Sequence, residues 1–417
     1  MCPMKYNKKK KKNWFLKTID SVKNFYNKKI IKSRIKFNMM ETIVFMLIVF
    51  AFGLIIGGII MYGKGAFSSS STSINEFATA YNEIVNSYYK DIDGDKLLEA
   101  GISGMINYLG DPYSSYMSKE VADDFNENID GTYQGIGAEI KYDKDGKVQL
   151  GKIFDDSPAY KAGLKENDYL LKVNGENIND KSLNTIANMV KGEVGTKVSL
   201  TILRDKEEKE LSITRGTVDN ISVKGEIYER NNKKIGYIMI SIFANNTDDQ
   251  FKKELAKLEE SGIDSLIIDV RGNSGGYLIT ANEIISMFIK KGEPIYQLKT
   301  KDDIDIVYDK TEEARNYPIV VLIDGGSASA SELLVGALSE IYGAKLVGTK
   351  TFGKGKVQKI STLSNGSLYK YTYQEWLTPR GNYIDLKGIE PTIEEKYVYS
   401  KEGKDNQLEK AIEVILK

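Results

Sequence analysis

Histidine is missing from this 417-residue chain, and cysteine occurs once, as Cys2. Without histidine there is no Ser-His-Asp or Cys-His catalytic device and no His-ligated zinc site. A single cysteine at the N-terminus leaves no internal disulfide and no thiolate metal cluster. Any hydrolytic chemistry must therefore run on Ser, Lys, Tyr or carboxylates. What is present is ample apolar material: at 41% hydrophobic residues the chain can bury real cores, which excludes wholesale disorder. Its length allows two to four domains.

Net charge is also zero, with 58 Lys+Arg against 58 Asp+Glu, but the balance is uneven along the chain. Thirteen of the cations lie in residues 1–40, among them the run Lys8–Lys12, against one acid, Asp20. That arm carries +12, so residues 41–417 carry −12. A basic arm alone could address nucleic acid; the segment after it points elsewhere. Ile43 to Tyr62 is twenty residues without a charge, and such a helix spans about 30 Å, the thickness of a bilayer's hydrocarbon core. It exceeds the apolar stretch of about 7–15 residues in a cleaved secretory signal, and Lys64-Gly65-Ala66-Phe67 is a poor cleavage site. The expectation is an uncleaved cell-membrane anchor over 42–63. The basic arm, 1–41, then lies in the cytoplasm and everything beyond the anchor outside. The arm serves orientation and anionic lipid rather than nucleic acid.

Ser68–Ser73 reads as a flexible tether inside a linker over 64–73. Ile74, Phe77, Tyr81, Ile84 and Tyr88 then recur at helical spacing. Leu97, Leu98, Ile102, Met105, Ile106 and Leu109 form a second stripe, which Asp111-Pro112 ends. Ser118 is placed to cap a third helix. Residues 74–129 thus read as a helical packing or dimerisation module without visible chemistry. From Gly131 the texture turns to short strands with a turn at Asp145-Gly146, a short helix at Ser157–Leu164 and a longer one at Leu183–Val190, through about residue 215. Over 216–396 strands such as Ile235–Phe243, Ser265–Val270 and Ile319–Ile323 alternate with helices at Leu278–Ile289 and Ser331–Tyr342, which implies a layered α/β core. Asn365-Gly366 is a hairpin turn. Residues 397–417 close the chain as a helical segment.

Three segments of that core could carry chemistry. Asp269-Val270-Arg271-Gly272-Asn273-Ser274-Gly275-Gly276 lies at a strand end. Gly325-Gly326-Ser327-Ala328-Ser329-Ala330-Ser331-Glu332 joins a strand to a helix, so a serine there is exposed to the positive end of the helix dipole. The plainer reading of those serines is N-capping, with Ser327 or Ser331 as caps. Thr351-Phe352-Gly353-Lys354-Gly355-Lys356-Val357-Gln358 is the third. Gly348 to Lys354 has the spacing of a phosphate-binding loop, but Gly355 stands where a magnesium-holding Ser/Thr belongs, and a strand pattern follows instead of a helix. Nucleotide binding is set aside. A lysine between glycines can instead be a general base, provided burial lowers its pKa from the usual value of about 10.4 toward neutrality; otherwise it is a surface lysine.

Two resemblances organise these elements. Residues 130–215 resemble a PDZ domain through Gly135-Ile136-Gly137-Ala138, the block Ser157 to Gly175 and the strand Val194 to Arg204. In that family a Gly-rich loop holds the carboxylate of a captured peptide C-terminus, which falls on Gly135, Ile136 and Gly137 here. The chain from about Ile74 onward resembles the C-terminal processing (tail-specific) serine peptidases. The matching motifs are Asp111–Met117, the three core segments, Trp376-Leu377-Thr378-Pro379-Arg380-Gly381 and Gly388-Ile389-Glu390-Pro391. The resemblance implies a Ser-Lys dyad with Ser329 as nucleophile, Lys354 as general base and Gln358 orienting the lysine. The oxyanion hole falls on the backbone N–H of Ala330 and of one of Gly275 and Gly276, with the choice open. No metal or cofactor is implied.

This chain departs from the family pattern at Tyr113, where histidine is frequent, at Thr392, where aspartate is common, and at Gly325. None of the three is expected to touch Ser329, Lys354 or Gln358. The expected protein is a multidomain α/β enzyme: an N-terminal transmembrane helix, a helical module, a mostly β PDZ domain, and an α/β peptidase core. It would cleave external protein substrates held by their C-terminal tails, as a homodimer built through its terminal helices. The competing expectation is an inert membrane-tethered PDZ adaptor on a peptidase scaffold.

Overall fold

The computed structural model describes residues 43–50, 52–53, 70–312 and 314–417. The expected basic arm lies outside these residues, as does most of the expected anchor; of the latter, 43–50 and 52–53 are helical. Among the described residues no helix is long and apolar enough to cross a membrane. The described residues form two compact units, divided between Leu98 and Glu99.

In the first unit, a helix runs Ser70–Ser87. The tether expected at Ser68–Ser73 is corrected there, since Ser70 to Ser73 already belong to the first turn. Serine is tolerated at a helix start, where it competes least with the backbone ladder. The apolar positions keep their common face but stay open: Ile74, Phe77, Ile84 and Tyr88 are all exposed. Tyr81 Oη donates to Gly94 O at 3.1 Å, where the helix Gly94–Tyr108 begins.

In the second unit, the α/β core is a six-stranded sheet: β1 (Val223–Arg230), β2 (Lys233–Ile240), β3 (Ser265–Asp269), β4 (Ile319–Ile323), β5 (Lys345–Gly348) and β6 (Ile393–Glu394), in that spatial order. β1 and β2 form an antiparallel hairpin, and the remaining pairs are parallel. Strands β3 and β4 are buried at every position, which explains the apolar runs Leu266–Ile268 and Ile319–Ile323. Helices Thr247–Glu260, Leu278–Ser286 and Ala330–Ala337 pack on one face with Phe251, Ile284, Phe288 and Leu334. The helix Asn406–Ile415 covers the other with Ala411, Ile412 and Ile415.

A second, antiparallel sheet runs beside this core. Its long strand Leu368–Leu377 is paired with Ser115–Met117, Lys356–Thr362 and Pro294–Lys299, and the last also pairs with Ile304–Tyr308. The turn at Asn365-Gly366 joins two of these strands as expected, with Asn365 Oδ1 accepting from Ser367 N–H at 3.0 Å. The PDZ-like part is a six-stranded sheet over Ala138–Thr214 with the helices Pro158–Lys161 and Leu183–Val190. Its core is Leu150, Leu170, Val173, Ile186, Leu200 and Ile202. The ribbon Thr132–Gly135 with Gly216–Asp219 closes its two ends together.

Candidate active site

Parallel strands β3 and β4 deliver two of the three segments to adjacent strand ends, the usual place for a site in a sheet of this kind. After β3, Arg271 turns back on Asp269, with Nη2 donating to Asp269 Oδ2 at 2.5 Å. Arg271 also donates to Asp405 Oδ2 at 2.8 Å and to Gln407 Oε1 at 2.8 Å, which ties this strand end to the C-terminal helix. Asn273, fully buried, accepts at its carbonyl from Ala328 N–H at 3.0 Å and from Ser331 Oγ at 2.8 Å. The glycine segment is thereby clamped against the serine segment.

After β4 the chain turns sharply into the helix Ala330–Ala337, and Ser329 sits on that turn at φ 55° and ψ −113°. A non-glycine residue in that region costs of order 1–3 kcal/mol and marks a position held by its surroundings. Neither serine expected to cap the helix does so. Ser327 Oγ donates to Val270 O at 2.8 Å and Ser331 Oγ to Asn273 O; the N-cap position belongs to Ser329.

Gly275 and Gly276 have φ of 107° and 140°, out of reach for an L-residue. A Cβ on Gly275 would lie 2.9 Å from Ser329 Cβ, and one on Gly276 would lie 2.1 Å from Phe243 O. These glycines bring backbone, not side chains, up to the serine. Their amides differ. The N–H of Gly275 donates to Asn273 Oδ1 at 2.9 Å. Among the described residues, the N–H groups of Gly276 and Ala330 have no such acceptor.

The lysine segment leads into the strand Lys356–Thr362. Lys354 Nζ donates to Gln358 Oε1 at 3.1 Å and stands 5.1 Å above the Tyr113 ring. Burial pushes its pKa below the ordinary lysine value and the Lys370 ammonium pushes the same way, while Asp111 and Glu332 oppose. Ser329, Lys354, Gln358, Gly275 and Gly276 all line one cleft of about 1080 Å³. Among the described residues, no hydrogen bond joins Ser329 Oγ to Lys354 Nζ. Such contacts are commonly long in the absence of substrate and tighten when it binds.

Glu332 was not singled out in the sequence. It is fully buried, and its carboxylate accepts from Ser329 N–H at 2.9 Å, Lys354 N–H at 2.8 Å, Gly353 N–H at 2.7 Å and Thr351 Oγ1 at 2.6 Å. One acid therefore ties the serine turn to the lysine loop. Tyr113 requires a correction: it does touch the catalytic candidates. Besides its ring over Lys354, its carbonyl accepts from Gln358 Nε2. The Asp111–Met117 segment reaches this place because Asp111 Oδ2 accepts from Thr372 Oγ1 at 2.6 Å and from Ser114 Oγ at 2.5 Å. Thr392 is remote from the serine, its hydroxyl accepting from Leu346 N–H at 3.1 Å.

Gly135 and Ile136 line a second pocket, of about 290 Å³, with an apolar wall from Ile140, Leu150, Leu170, Ala187 and Val190. Gly137 is not among the lining residues; at φ 78° its carbonyl accepts from Ser157 Oγ at 3.2 Å. Across the mouth, Lys191 Nζ pairs with Glu127 Oε2 at 2.5 Å, a contact the sequence did not announce. Among the described residues no cluster of three or more Cys, Asp or Glu is arranged to hold a metal ion.

Comparison with known proteins adds the following. The profile of "Peptidase family S41" matches residues 234–395, that of "Activating protease CtpB N-terminal domain" residues 60–121, and that of a PDZ domain residues 155–204. The chain is 41% identical over 329 residues to the carboxy-terminal processing protease CtpB of Bacillus subtilis (strain 168), covering 78% of this chain and 68% of that one. It is 38% identical over 333 residues to a probable CtpA-like serine protease of Staphylococcus aureus (strain COL), covering 79% and 66%. A probable CtpA-like serine protease of Staphylococcus haemolyticus matches at 37% over 376 residues, covering 88% and 75%. The chain thus spans about two thirds of the length of the first two relatives.

Proposed function

This chain belongs to peptidase family S41 as a serine-type, C-terminal processing peptidase with a PDZ domain, and from that premise we propose that it is a membrane-anchored endopeptidase working through a Ser329–Lys354 dyad. Ser329 Oγ attacks the scissile carbonyl while neutral Lys354 takes its proton. The N–H groups of Gly276 and Ala330 hold the developing oxyanion, since the N–H of Gly275 is already spent on Asn273. Protonated Lys354 gives its proton to the leaving amine. The acyl-enzyme then falls to a water that Lys354 deprotonates in turn. Gln358, held by the Tyr113 carbonyl, keeps the amine pointed into the cleft.

The observation that carries this reading is the shared cleft of Ser329 and Lys354, with their backbones tied by Glu332. Substrate tails enter the 290 Å³ pocket beside Gly135 and Ile136, whose apolar wall suits an apolar last residue. The run Ile43 to Tyr62 anchors the chain, and the thirteen cations before it keep the N-terminus in the cytoplasm and the enzyme outside. The open apolar face of the helix Ser70–Ser87 supports a homodimer.

The test is cleavage of an unstructured protein with an apolar C-terminal tail by the full chain in detergent micelles. Wild type should cut it and Ser329→Ala should not. If the two are equally inactive across varied tails, the adaptor reading takes its place.

A further inference from the structure

The catalytic cleft is lined by Lys354, Lys356, Lys359 and Lys370 and, among the described residues, by no Asp or Glu. This positive wall sits in a chain whose residues 41–417 carry −12. The four lysines are not alike. Lys356 is neutralised by Glu375 at 2.5 Å and Asp385 at 3.3 Å. Lys354 is engaged by Gln358, and Lys359 is exposed to solvent. Lys370 is half-buried with its Nζ 5.4 Å from the Phe125 ring centre, and among the described residues that Nζ has no hydrogen bond and no ion pair. It stands on a strand paired on both sides, opposite Ser115 and Ile360, so its stem cannot drift far.

A cation taken partly out of water without a counter-ion is costly. Burial accordingly pushes the Lys370 pKa below the ordinary lysine value. An acid on any neighbouring strand would remove that cost, and none is there. We propose that Lys370 is a carboxylate-binding subsite of the catalytic cleft, taking an acidic group of the substrate segment bound there: its free C-terminus, or an Asp or Glu side chain. The proposal rests on the reading of Ser329 as nucleophile, because it assigns the subsite to the chain being cut. An arriving carboxylate supplies the missing counter-ion and restores full charge to the amine. The Phe125 ring beside the amine keeps the pair partly dry.

The experiment uses the full chain in detergent micelles and two sets of peptides. One set exchanges Glu for Gln at each position around the scissile bond. The other presents the same sequence with a free or an amidated C-terminus. In at least one set the wild-type kcat/KM should favour the carboxylate about tenfold, the worth of one charge-assisted hydrogen bond. Lys370→Met should bring that ratio close to one, and Lys370→Arg should keep it. The set that responds identifies the source of the carboxylate. A ratio unchanged by Lys370→Met, or no preference in either set, overturns the proposal. A second readout needs no turnover: in Ser329→Ala, labelling of Lys370 by trinitrobenzenesulfonate is followed by mass spectrometry. The acidic peptide should protect Lys370 and its amide counterpart should not; equal protection also overturns the proposal. Turnover by Ser329→Ala at the wild-type rate would sink the nucleophile assignment, and the labelling result would still decide the subsite.

Discussion

Glu332 holds Lys354 by its backbone: one carboxylate oxygen accepts the Lys354 N–H at 2.8 Å and, at 2.9 Å, the N–H of Ser329. The other oxygen accepts from Thr351 Oγ1 and Gly353 N–H. Glu332→Gln turns one of these acceptors into a donor facing donors. Roughly 1–3 kcal/mol is lost for each buried donor left unsatisfied, which urea unfolding should read as a lowered midpoint. Turnover should fall with little change in KM, because what moves is the dyad. Wild-type turnover together with wild-type stability would show that the four contacts do not matter.

As the proposed general base, Lys354 has to be neutral to act, so kcat/KM should rise with pH and level off once the lysine has lost its proton. Burial and Lys370 both lower its pKa, so the plateau should come below the usual lysine value of about 10.4. Lys370→Met removes the like charge, which raises the Lys354 pKa and moves the rising limb to higher pH. A limb that stays in place, or moves to lower pH, contradicts this assignment of the base.

Much of this site could be read in the sequence, because its parts are local. The serine and glycine segments follow strands with apolar centres, Ile319–Ile323 and Leu266–Ile268, and a turn after such a strand is where chemistry collects. Strand periodicity after Lys354 argued against a phosphate loop, and the strand Lys356–Thr362 is there. What stayed hidden depends on contacts across long separations. Glu332 looks like any first-turn acid until the loop 351–354 folds onto it. Tyr113 meets Gln358 across 245 positions, which nothing local foretells. Lys370 is one among 58 basic residues until the sheet places it in the cleft. The strands Pro294–Lys299 and Ile304–Tyr308 are hard to read for another reason: neither alternates cleanly, and only Ile295 and Tyr296 of the two are buried.

The two glycine amides make a geometric prediction. A peptide aldehyde bound to Ser329 should place its oxyanion about 2.7–3.1 Å from the N–H groups of Gly276 and Ala330. Gly275 should keep its bond to Asn273 Oδ1. A crystal structure of the adduct decides: an oxyanion on Gly275 with that bond broken would reverse the assignment.

Ala187 stands half-buried on the wall of the PDZ pocket, so a larger side chain there can fill the cavity of about 290 Å³ without entering the core. Ala187→Phe should weaken binding of a labelled peptide with an apolar C-terminus at least about tenfold, since burying its last side chain is worth roughly 1.5–3 kcal/mol. Fluorescence anisotropy is the measurement. Unchanged binding would place tail capture elsewhere.

Asp405 both caps the C-terminal helix, accepting from Gln407 N–H at 3.0 Å and Leu408 N–H at 3.1 Å, and pairs with Arg271. Burial alone would raise its pKa, but the Arg271 guanidinium and the two amides outweigh that and hold it below its ordinary value of 3.8. A depressed carboxyl contributes stability above its unfolded pKa and loses it as pH falls through the folded one. The contribution should therefore be complete above about pH 4 and fade below it. Asp405→Asn keeps a good capping residue and removes only the charge, whereas Asp405→Ala removes both and should cost about 1 kcal/mol more. Unfolding midpoints across pH 7 to 3 should show wild type ahead of Asp405→Asn at neutral pH and the two converging in acid. The Ala variant should stay below Asn throughout, because its missing cap does not titrate. Parallel curves for wild type and Asn would mean that the Arg271 pair contributes nothing, leaving the strand end after β3 held to the helix by Gln407 alone.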